Sequence, residues 1–526
     1  MTSNKPSKIF WFLPSIAEVV FIVILAFILS GKGNLLGDAD TGYHIRAGEY
    51  IIDNLKVPSH DLFSHITPPL EWTAHEWLSE VILALIHRAS GLTGVVVAMA
   101  ILIAFVHVIL LRFLRSSGIS IIVAACIVAL AAGASIIHWL ARPHIFSLLL
   151  ILFWYIILDT YQYRKKNYLY FLPPLMLLWV NLHGGFIAGF MLLAVYITGN
   201  VLMAIFRKEE RYENIPKIKT FSIYFILCLL ITLLNPKGYE ILLFPFNLIG
   251  NTFIMDHVSE FLSPNFHTDL RFEYMLLLMI FVFGISVLRL NVIELMLVVA
   301  FTHMSLYSAR YIPLYAIILS PILGRQIDNL LHEFRERRLI KRILSLSDRT
   351  TKTDSMAKYH VWFIVTIVIL GIMVSTGKLH YAFDQRRLPL DAVHFIQQEK
   401  IPGNMFNNDE FGDYIIYAAW PHYKVFFDGR SDMYGTERMK QYFKIIRMES
   451  GWDKILQEFN INWIIFQTKS PLSSFLLERD DWKLIYSDKV ANIFVRRIPE
   501  NQHLIDKYQD VKPVIVEDEE EKKDDK

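Results

Sequence analysis

Residues 10–51 read FWFLPSIAEVVFIVILAFILSGKGNLLGDADTGYHIRAGEYI, a largely apolar run followed at once by a polar, acidic stretch. As a helix, the run 10–30 is long enough to cross about 30 Å of hydrocarbon. It lacks a small-residue cleavage site, and further apolar runs follow it, so we predict a retained membrane anchor rather than a signal peptide. The acidic stretch 37–50 then opens a segment outside the bilayer.

The composition also indicates a membrane protein. Of the 526 residues, 54% are hydrophobic and only 19% are charged, whereas soluble domains average about 25% charged residues. The net charge of +2 gives no reason to expect a nucleic-acid partner. We predict about eleven spans. The long ones are 10–30, 93–113, 119–139, 145–163, 184–206 and 360–376, and the shorter or interrupted ones are 168–182, 221–235, 273–289, 291–308 and 311–324.

Basic clusters indicate the orientation of these spans. Lys and Arg concentrate in cytoplasmic loops, and alternating the spans puts all the basic clusters on one side. We therefore predict a multi-pass protein of the inner or plasma membrane, with a cytoplasmic N-terminus and an extracytoplasmic C-terminal domain. The clusters are Lys5/Lys8, Arg112/Arg115, 163–168, 207–219, Arg289 and 333–342.

The predicted fold is a polytopic α-helical membrane protein with a C-terminal exported α/β domain. In that domain, apolar runs at 423–430 and 461–467 predict buried strands, 482–497 predicts a hairpin, and 389–400 and 435–459 predict helices. The predicted domains are a multi-span module 1–324 with its first outer loop 31–92, a basic cytoplasmic linker 325–358, a last span 359–376, the exported domain 377–500 and a charged, disordered tail 501–526.

Three residues of the first outer loop could carry chemistry. If a helix begins near Asp40, then Asp40 and His44 lie four residues apart on one face. An aspartate close to low-dielectric surface and oriented by a histidine can act as a general base. Asp38 lies in the preceding turn, where a helix cap would lie. A helix cap in a solvated loop explains these residues equally well.

The same loop supplies two further pocket candidates, His75 and Glu76. They lie within EWTAHEWLSEVI (71–82), whose helical spacing and two tryptophans, Trp72 and Trp77, predict a helix in the membrane interface.

Other polar residues lie at the predicted outer ends of spans. Arg142, Arg310 and Lys237 could bind a phosphate, because guanidinium and ammonium groups pair with oxyanions. Snorkelling to the lipid headgroups explains any single arginine equally well. The loop 236–272, which includes Glu260, has the length of a lid or substrate groove. His144, Asn181 and His183 complete the pocket candidates.

No motif requires a cofactor. Carboxylates and imidazoles would suit a divalent metal, so the sequence leaves a metal undecided. Walker A, GxSxG and GxGxxG patterns in the right context are absent, which disfavours ATP-driven transport and serine hydrolysis.

Four stretches together resemble the GT-C glycosyltransferases, a superfamily that includes protein O-mannosyltransferases and the aminoarabinose transferases that modify lipid A. The resemblance is patchwise over about residues 1–430 and rests on short motifs. The stretches are DADTGYHIRAGEYI (38–51), RPHIFSLLL (142–150), WVNLHGGFIAGF (179–190) and VFFDGRSDMYG (425–435).

This resemblance implies an enzyme that transfers a sugar from a polyprenyl-phosphate donor to a protein, lipid or glycan acceptor. In such enzymes an acid of the first outer loop activates the acceptor, which by position is Asp40 or Asp38. Family members often carry adjacent Asp and Glu residues, whereas Ala39 separates the two aspartates here. The choice between them stays open.

Two other kinds of protein remain alternatives. In a membrane-anchored sensor or assembly factor, FFDGRSDMYG (426–435) would be a partner-binding loop, although a strand with a tight turn explains it as well. A lipid or solute transporter would carry ionisable residues near the midpoints of its spans. Here such residues concentrate at the span ends.

Overall fold

The computed structural model describes residues 11–32 and 34–515, and is built mainly of helices. Its strands are β1 (Asn404–Asn407), β2 (Ile461–Gln467), β3 (Trp482–Ser487) and β4 (Ala491–Arg496). Its α-helices are α1 (Ile16–Phe27), α2 (Asp40–Asn54), α3 (Trp77–Ser116), α4 (Ile121–Ser135), α5 (His144–Arg164), α6 (Leu172–Leu182), α7 (Ile187–Phe206), α8 (Arg211–Thr232), α9 (Glu240–Gly250), α10 (Thr252–His257), α11 (Arg271–Ile285), α12 (Val292–Tyr307), α13 (Ile312–Glu333), α14 (Arg338–Asp354), α15 (Val361–Ser375), α16 (Leu390–Glu399), α17 (Asp409–Ala419), α18 (Ser431–Ile446), α19 (Trp452–Glu458), α20 (Pro471–Leu477) and α21 (Gln502–Lys507).

The chain divides into two compact units, which differ from the predicted domains. The first, here the helical unit, comprises 1–35, 86–250 and 255–381. The second, here the α/β unit, comprises 36–85, 251–254 and 382–526. The sequence places the first outer loop with the spans, whereas in the structure residues 36–85 pack with the C-terminal region. The predicted anchor-flanking residues Lys5 and Lys8 lie outside the described residues.

The helical unit contains the helices suited to a membrane. Among the described residues, five helices are long and apolar enough to cross one: Trp77–Ser116, Ile121–His138, His144–Arg164, Gly184–Phe206 and Arg211–Thr232. Shorter apolar helices are Ile16–Gly31, Leu169–Leu182, Glu240–Gly250, Val292–Tyr307 and Val361–Ser375. The membrane character is thus supported, while the number of about eleven spans and their orientation stay predictions.

Capping residues explain where two apolar helices begin. Ser15 accepts a hydrogen bond from the backbone N–H of Glu18, and the Glu18 carboxylate accepts one from the Ser15 N–H. Asn291 and Glu294 repeat this reciprocal pattern at the start of α12. Each pair satisfies backbone donors that the first turn would otherwise leave unpaired.

The α/β unit is organised around a four-stranded sheet in the order β1-β2-β4-β3. Strands β1 and β2 are parallel, whereas β2–β4 and β4–β3 are antiparallel. One hydrophobic core joins the sheet to the first-loop segment, because Phe63 and Trp72 pack in the same cluster as Trp463 and Ile493. The first loop is therefore part of the folded α/β unit rather than a solvated connection.

Small residues let helix α2 approach its neighbours closely. A Cβ at Gly48 would collide with the backbone oxygen of Glu80, and one at Gly42 would lie 2.7 Å from the Tyr417 Cβ. Glycine at these two positions permits backbone contacts that any larger residue would prevent. The sequence GYHIRAG thus seats α2 against the start of α3 and against α17.

Several sequence-based predictions for this unit are confirmed. Helix α2 begins at Asp40, strand β2 spans Ile461–Gln467, and β3 and β4 form the predicted hairpin. The predicted helix at 389–400 is α16.

Other local predictions are wrong. Residues 423–430 form no strand, and only Val425 makes an isolated bridge, to Ser64. The segment 71–82 becomes helical only from Trp77, whereas 435–459 is helical as predicted, in two pieces, α18 and α19. Trp72 is not an interface anchor, because it is buried in the core at 7% exposure. For these segments, packing against other parts of the fold outweighs the structure that the local sequence pattern favours.

The tail prediction is also partly wrong. Residues Gln502–Lys507 form helix α21, and Leu504 and Ile505 are buried in the core of the α/β unit. Two apolar side chains docked on the sheet order this segment, although its composition resembles a linker. The acidic end, 516–526, lies outside the described residues.

A buried ion network ties the first loop to the C-terminal region. Arg430 donates from Nε and Nη2 to the Asp428 carboxylate at 2.8 and 2.7 Å, and its Nη2 lies 2.8 Å from Asp61 Oδ1. The guanidinium also lies over the Trp72 ring, 4.6 Å from its centroid. Arg430 is only 2% exposed, so its two carboxylate partners compensate a charge that water does not reach.

Replacing Arg430 with methionine should destabilise the α/β unit strongly. Arg430→Met leaves Asp61 and Asp428 buried without their cation, a loss of about 3–5 kcal/mol. The purified full-length protein should therefore show a lower first melting transition by intrinsic fluorescence. The matched control is Arg447→Met on an arginine that is 55% exposed, where we expect almost no change. Equal melting temperatures for the two variants would contradict this role of Arg430.

Candidate functional site

The predicted site residues fall into two groups, one in each unit. Those of the first loop belong to the α/β unit and all the others to the helical unit. Each group is described within its own unit. The first-loop group is Asp38, Asp40, His44, His75 and Glu76, and the other is Arg142, His144, Asn181, His183, Lys237 and Arg310.

Asp40 is the first residue of α2 and is buried, with 8% of its surface exposed. The Asp38 carboxylate accepts a hydrogen bond from the backbone N–H of Asp40 at 2.9 Å. Asp38 therefore satisfies a backbone donor at the helix start, as a capping residue does. This contact fixes the backbone that carries Asp40.

A second carboxylate, that of Asp413 on α17, approaches the same point as Asp40. The backbone N–H of Gly429 donates to Asp413 Oδ1 and Oδ2 at 3.1 and 3.2 Å. A Cβ at Gly429 would collide with Asp40 Oδ1 and lie 3.1 Å from Asp413 Oδ2. Glycine at position 429 is therefore what allows both carboxylates to reach the backbone of the DGR segment.

Asp413 has an unusual electrostatic environment. It is buried at 2% exposure. Burial first, and then the negative charges of Asp40, Asp428 and Asp38, raise the pKa of Asp413 well above its usual value. Asp413 therefore keeps a proton over a wider pH range than a solvated aspartate does.

His44 contacts a different acid from the predicted one. Its Nδ1 lies 3.4 Å from Glu80 Oε1, and both side chains are buried. Its ring packs on that of Tyr43, with centroids 4.1 Å apart. The role of His44 in orienting Asp40 stays a prediction. His75 and Glu76 form a neighbouring pair, with His75 Nε2 3.6 Å from Glu76 Oε1.

In the helical unit, the two predicted phosphate-binding arginines meet at one carboxylate. Arg142 Nη1 donates to Glu260 Oε1, and Arg310 Nη1 lies 3.6 Å from Glu260 Oε2. Burial alone would raise the pKa of Glu260, but Arg142 and Arg310 outweigh it and hold that pKa well below its usual value, with smaller contributions from His138 and His144. Glu260 is therefore ionised at every pH at which the protein would function.

A pocket of about 230 Å³ adjoins this charged group. Its lining includes Ser259 and Ala309, which directly precede Glu260 and Arg310 in the chain. Apolar side chains form much of the remaining wall, among them Ala134, Ile137, Leu262, Phe272 and Ile312. A cavity of this kind beside cations suits an amphiphilic ligand.

The remaining candidates of the helical unit make other contacts. Lys237 Nζ lies 4.7 Å from the centre of the Phe244 ring. The Asn181 side-chain oxygen accepts from Asn235 Nδ2 at 3.3 Å. Ser147 Oγ lies 2.7 Å from His183 Nδ1, and the ring of His144 is 6.3 Å from that of His183. His144 begins α5, and Asn181 and His183 lie at the end of α6, whereas Lys237 lies between α8 and α9.

The contacts described above do not form a metal site. In the residues that the structure describes, no group of three or more His, Cys, Asp or Glu side chains is arranged to hold a metal ion.

Two residues of these groups are ones that the sequence did not assign to the site. Asp413 is the one acid inside the otherwise apolar run FGDYIIYAA (411–419), which was its only sequence signal. Glu260 is visible in the sequence only as part of a lid or groove loop. By contrast, the predicted binding loop of the sensor alternative is largely buried, since Phe427, Asp428, Arg430 and Tyr434 are all buried.

No protein-family model and no curated protein matches this chain. Solved structures do match. The apo oligosaccharyltransferase of Archaeoglobus fulgidus gives a TM-score of 0.55 at 12% identity, covering 91% of this chain and 74% of that one. The oligosaccharyltransferase AglB of A. fulgidus with an inhibitory peptide and a dolichol-phosphate also gives 0.55, at 10% identity over 86% and 69%.

A third match is ArnT from Cupriavidus metallidurans bound to undecaprenyl phosphate, with a TM-score of 0.46 at 11% identity over 92% of this chain and 98% of that one. At such identities the likeness concerns the fold. The fold of this chain is therefore similar to that of the two oligosaccharyltransferase structures, and the predicted resemblance is confirmed at the level of the fold.

The raised pKa of Asp413 predicts how stability depends on pH. The folded protein binds this proton more tightly than the unfolded chain, where the pKa of Asp is about 3.9. The contribution of Asp413 to the free energy of unfolding is therefore fully present at low pH. It is lost as the pH rises through the pKa that Asp413 has in the folded protein. In Asp413→Asn the decline should disappear, so the variant should melt a few degrees above the wild type at alkaline pH.

Melting curves of both full-length proteins between pH 5 and about pH 9 would measure this difference. The isosteric amide still accepts the Gly429 hydrogen bond, so packing is preserved. Parallel pH profiles for the two proteins would show that Asp413 is not held protonated.

Proposed function

We propose that this protein is an integral-membrane glycosyltransferase. It moves a sugar from a polyprenyl-phosphate donor to an acceptor on the extracytoplasmic side, with Asp40 as the base. The observation that carries the proposal is the buried Asp40 carboxylate, held at the start of α2 beside Asp413 and the Gly429 backbone. The GT-C fold supports the same class of reaction.

The chemistry requires two kinds of group. The acceptor hydroxyl or amine loses its proton to a base as its oxygen or nitrogen bonds to the anomeric carbon of the sugar. The bond between that carbon and the phosphate oxygen breaks, and the electron pair leaves with the lipid phosphate. Cations must stabilise the charge that develops there. We assign the first function to Asp40 of the α/β unit and, as a separate proposal, the second to Arg142 and Arg310 of the helical unit.

Asp40 is a better candidate for the base than Asp38. The Asp38 carboxylate is engaged with the backbone N–H of Asp40, which is a structural task that an amide could also perform. Asp40 is buried at the first turn of α2, with its Oδ1 beside Gly429 and near the Asp413 carboxyl group, so its carboxylate is held in a defined position to accept a proton. We assign Asp38 to the helix cap.

The proposed partners follow from this reaction. The donor is a polyprenyl-phosphate-linked sugar from the bilayer, and the acceptor is a protein, lipid or glycan. Among the matched proteins, one structure holds a dolichol-phosphate and another an acceptor peptide. The predicted topology, with a cytoplasmic N-terminus and the α/β unit outside, belongs to this proposal, and a divalent metal could assist.

The assignment of Asp40 predicts unequal effects for the two first-loop aspartates. Asp40→Asn should lower turnover by about 10²–10⁴, because it removes the base. Asp38→Asn should retain turnover within about tenfold of the wild type, because asparagine can still accept the helix-start hydrogen bond. Release of polyprenyl phosphate from a donor that the wild type consumes would be measured by mass spectrometry.

The control for this experiment is Asp53→Asn, at the exposed end of the same helix, which should behave as the wild type. A larger loss in Asp38→Asn than in Asp40→Asn would reverse the assignment.

The phosphate-binding role predicts weaker lipid binding when either arginine is neutralised. Arg142→Gln or Arg310→Gln removes a charged hydrogen bond worth about 1.5–3 kcal/mol, or roughly a ten- to hundredfold loss of affinity for polyprenyl phosphate. Arg207→Gln, on a residue that is 57% exposed, is the matched control. Unchanged affinity in both test variants, measured by microscale thermophoresis on the full chain, would exclude this site.

A further inference from the structure

The anion site around Arg142 and Arg310 contains its own negative charge. Glu260 pairs with both arginines through different carboxylate oxygens. All three side chains are largely shielded from water, with exposures of 13%, 29% and 21% for Arg142, Arg310 and Glu260. In such an environment the balance of charge matters more than it does at an open surface.

Backbone contacts hold Glu260 in place. Ser308 Oγ donates to the Glu260 carbonyl oxygen at 3.1 Å, and the backbone N–H of Ala309 donates to the Leu262 carbonyl oxygen at 2.9 Å. The Arg310 guanidinium lies over the Phe261 ring, 5.2 Å from its centroid. The segments that carry Glu260 and Arg310 are therefore joined, and the carboxylate is a built part of the site.

Within this group two guanidiniums share one carboxylate, so Glu260 lowers the positive charge that a donor phosphate would meet. His138 and His144 also border the group, and His144 Nε2 lies 2.7 Å from the His138 carbonyl oxygen. In their neutral form the imidazoles add no charge. A polyprenyl-phosphate sugar is a phosphodiester with one negative charge, whereas a sugar-linked diphosphate would bring a second negative charge beside Glu260.

We propose that Glu260 makes this site selective for a polyprenyl monophosphate over a polyprenyl diphosphate. This rests on the proposed function, in which Arg142 and Arg310 hold the donor phosphate. The second phosphate of a diphosphate would face the Glu260 carboxylate, and like charges in a shielded site repel each other strongly. The adjoining apolar pocket favours a lipid phosphate over a free phosphate ion.

The proposal is tested by an affinity ratio. A polyprenyl-phosphate sugar and a polyprenyl-diphosphate sugar with the same sugar and chain length would be titrated, without acceptor, into full-length protein in nanodiscs at about pH 8, where an ordinary imidazole is neutral. The wild type should prefer the monophosphate by at least about tenfold, and Glu260→Gln should shift the ratio toward the diphosphate by about tenfold or more, as one removed charge repulsion of about 1.4 kcal/mol implies.

Two variants serve as controls. Glu240→Gln removes an exposed acid of the same outer loop and should keep the wild-type ratio. Glu260→Asp keeps the charge and should also keep the preference. The ratio is measured within each variant, so partial unfolding lowers both affinities together and does not imitate the expected shift. An unchanged ratio in Glu260→Gln would overturn the proposal.

Other outcomes separate this inference from the proposed function. If Arg142→Gln and Arg310→Gln weaken lipid binding while Glu260→Gln leaves the ratio unchanged, only the selectivity role fails. If the wild type binds neither lipid, both fail. Inorganic phosphate is the third probe: binding as tight as that of the polyprenyl-phosphate sugar would overturn the lipid part of the assignment.

Discussion

The buried guanidinium of Arg430 is the interaction on which the α/β unit depends. It pairs with Asp428 in its own segment and with Asp61 in the first loop, and it lies against the ring of Trp72. A charge with 2% exposure is tolerated only when such partners compensate it. The network therefore specifies that residues 36–85 and 382–515 fold together, although spans separate them in the sequence.

This constraint also creates the environment of Asp40. Because the first loop and the C-terminal region share one core, α17 and the Gly429 backbone can be brought against the start of α2. Asp413 then lies near Asp40 with its pKa raised by burial and by neighbouring carboxylates. Asp40 is thereby held in a buried position near a second carboxyl group, rather than in a solvated loop.

The helical unit also contains a shielded group of charges, formed by two arginines and Glu260. Two arginines at the ends of helices would be costly to bury without an anion, and Glu260 provides one. Glu260 lowers the net positive charge around Arg142 and Arg310, while the two guanidinium groups can still bind an oxyanion. In the proposed reaction, this group stabilises the leaving phosphate and determines how much negative charge the donor can carry.

Sequence patterns were sufficient for features that depend on local chemistry. Apolar runs indicated membrane helices, the apolar run 461–467 predicted β2, and the polar stretch after the first run was compatible with a helix that begins near Asp40. They also identified Arg142 and Arg310 as cations at span ends. Each of these features depends on one segment, as β2 does on the apolar run 461–467.

Features that depend on distant partners were not predictable in this way. Residues 423–430 look like a strand. In the structure, however, the Arg430 side chain pairs with Asp61 and the backbone N–H of Gly429 donates to Asp413, and the segment joins no sheet. Leu504 and Ile505 are ordered by a core that includes residues as distant in the chain as Tyr43 and Phe63. Asp413 and Glu260 gain their roles only from charges that folding brings beside them.

The most direct test of the account is a single-turnover measurement on the purified full-length protein. The wild type would be loaded with polyprenyl-phosphate sugars from a panel, and release of lipid phosphate followed together with binding of the lipid. The account predicts that at least one donor is cleaved by the wild type, and that Asp40→Asn binds that donor with wild-type affinity but does not cleave it. Failure of the wild type to cleave any donor, or undiminished cleavage by Asp40→Asn, would contradict it.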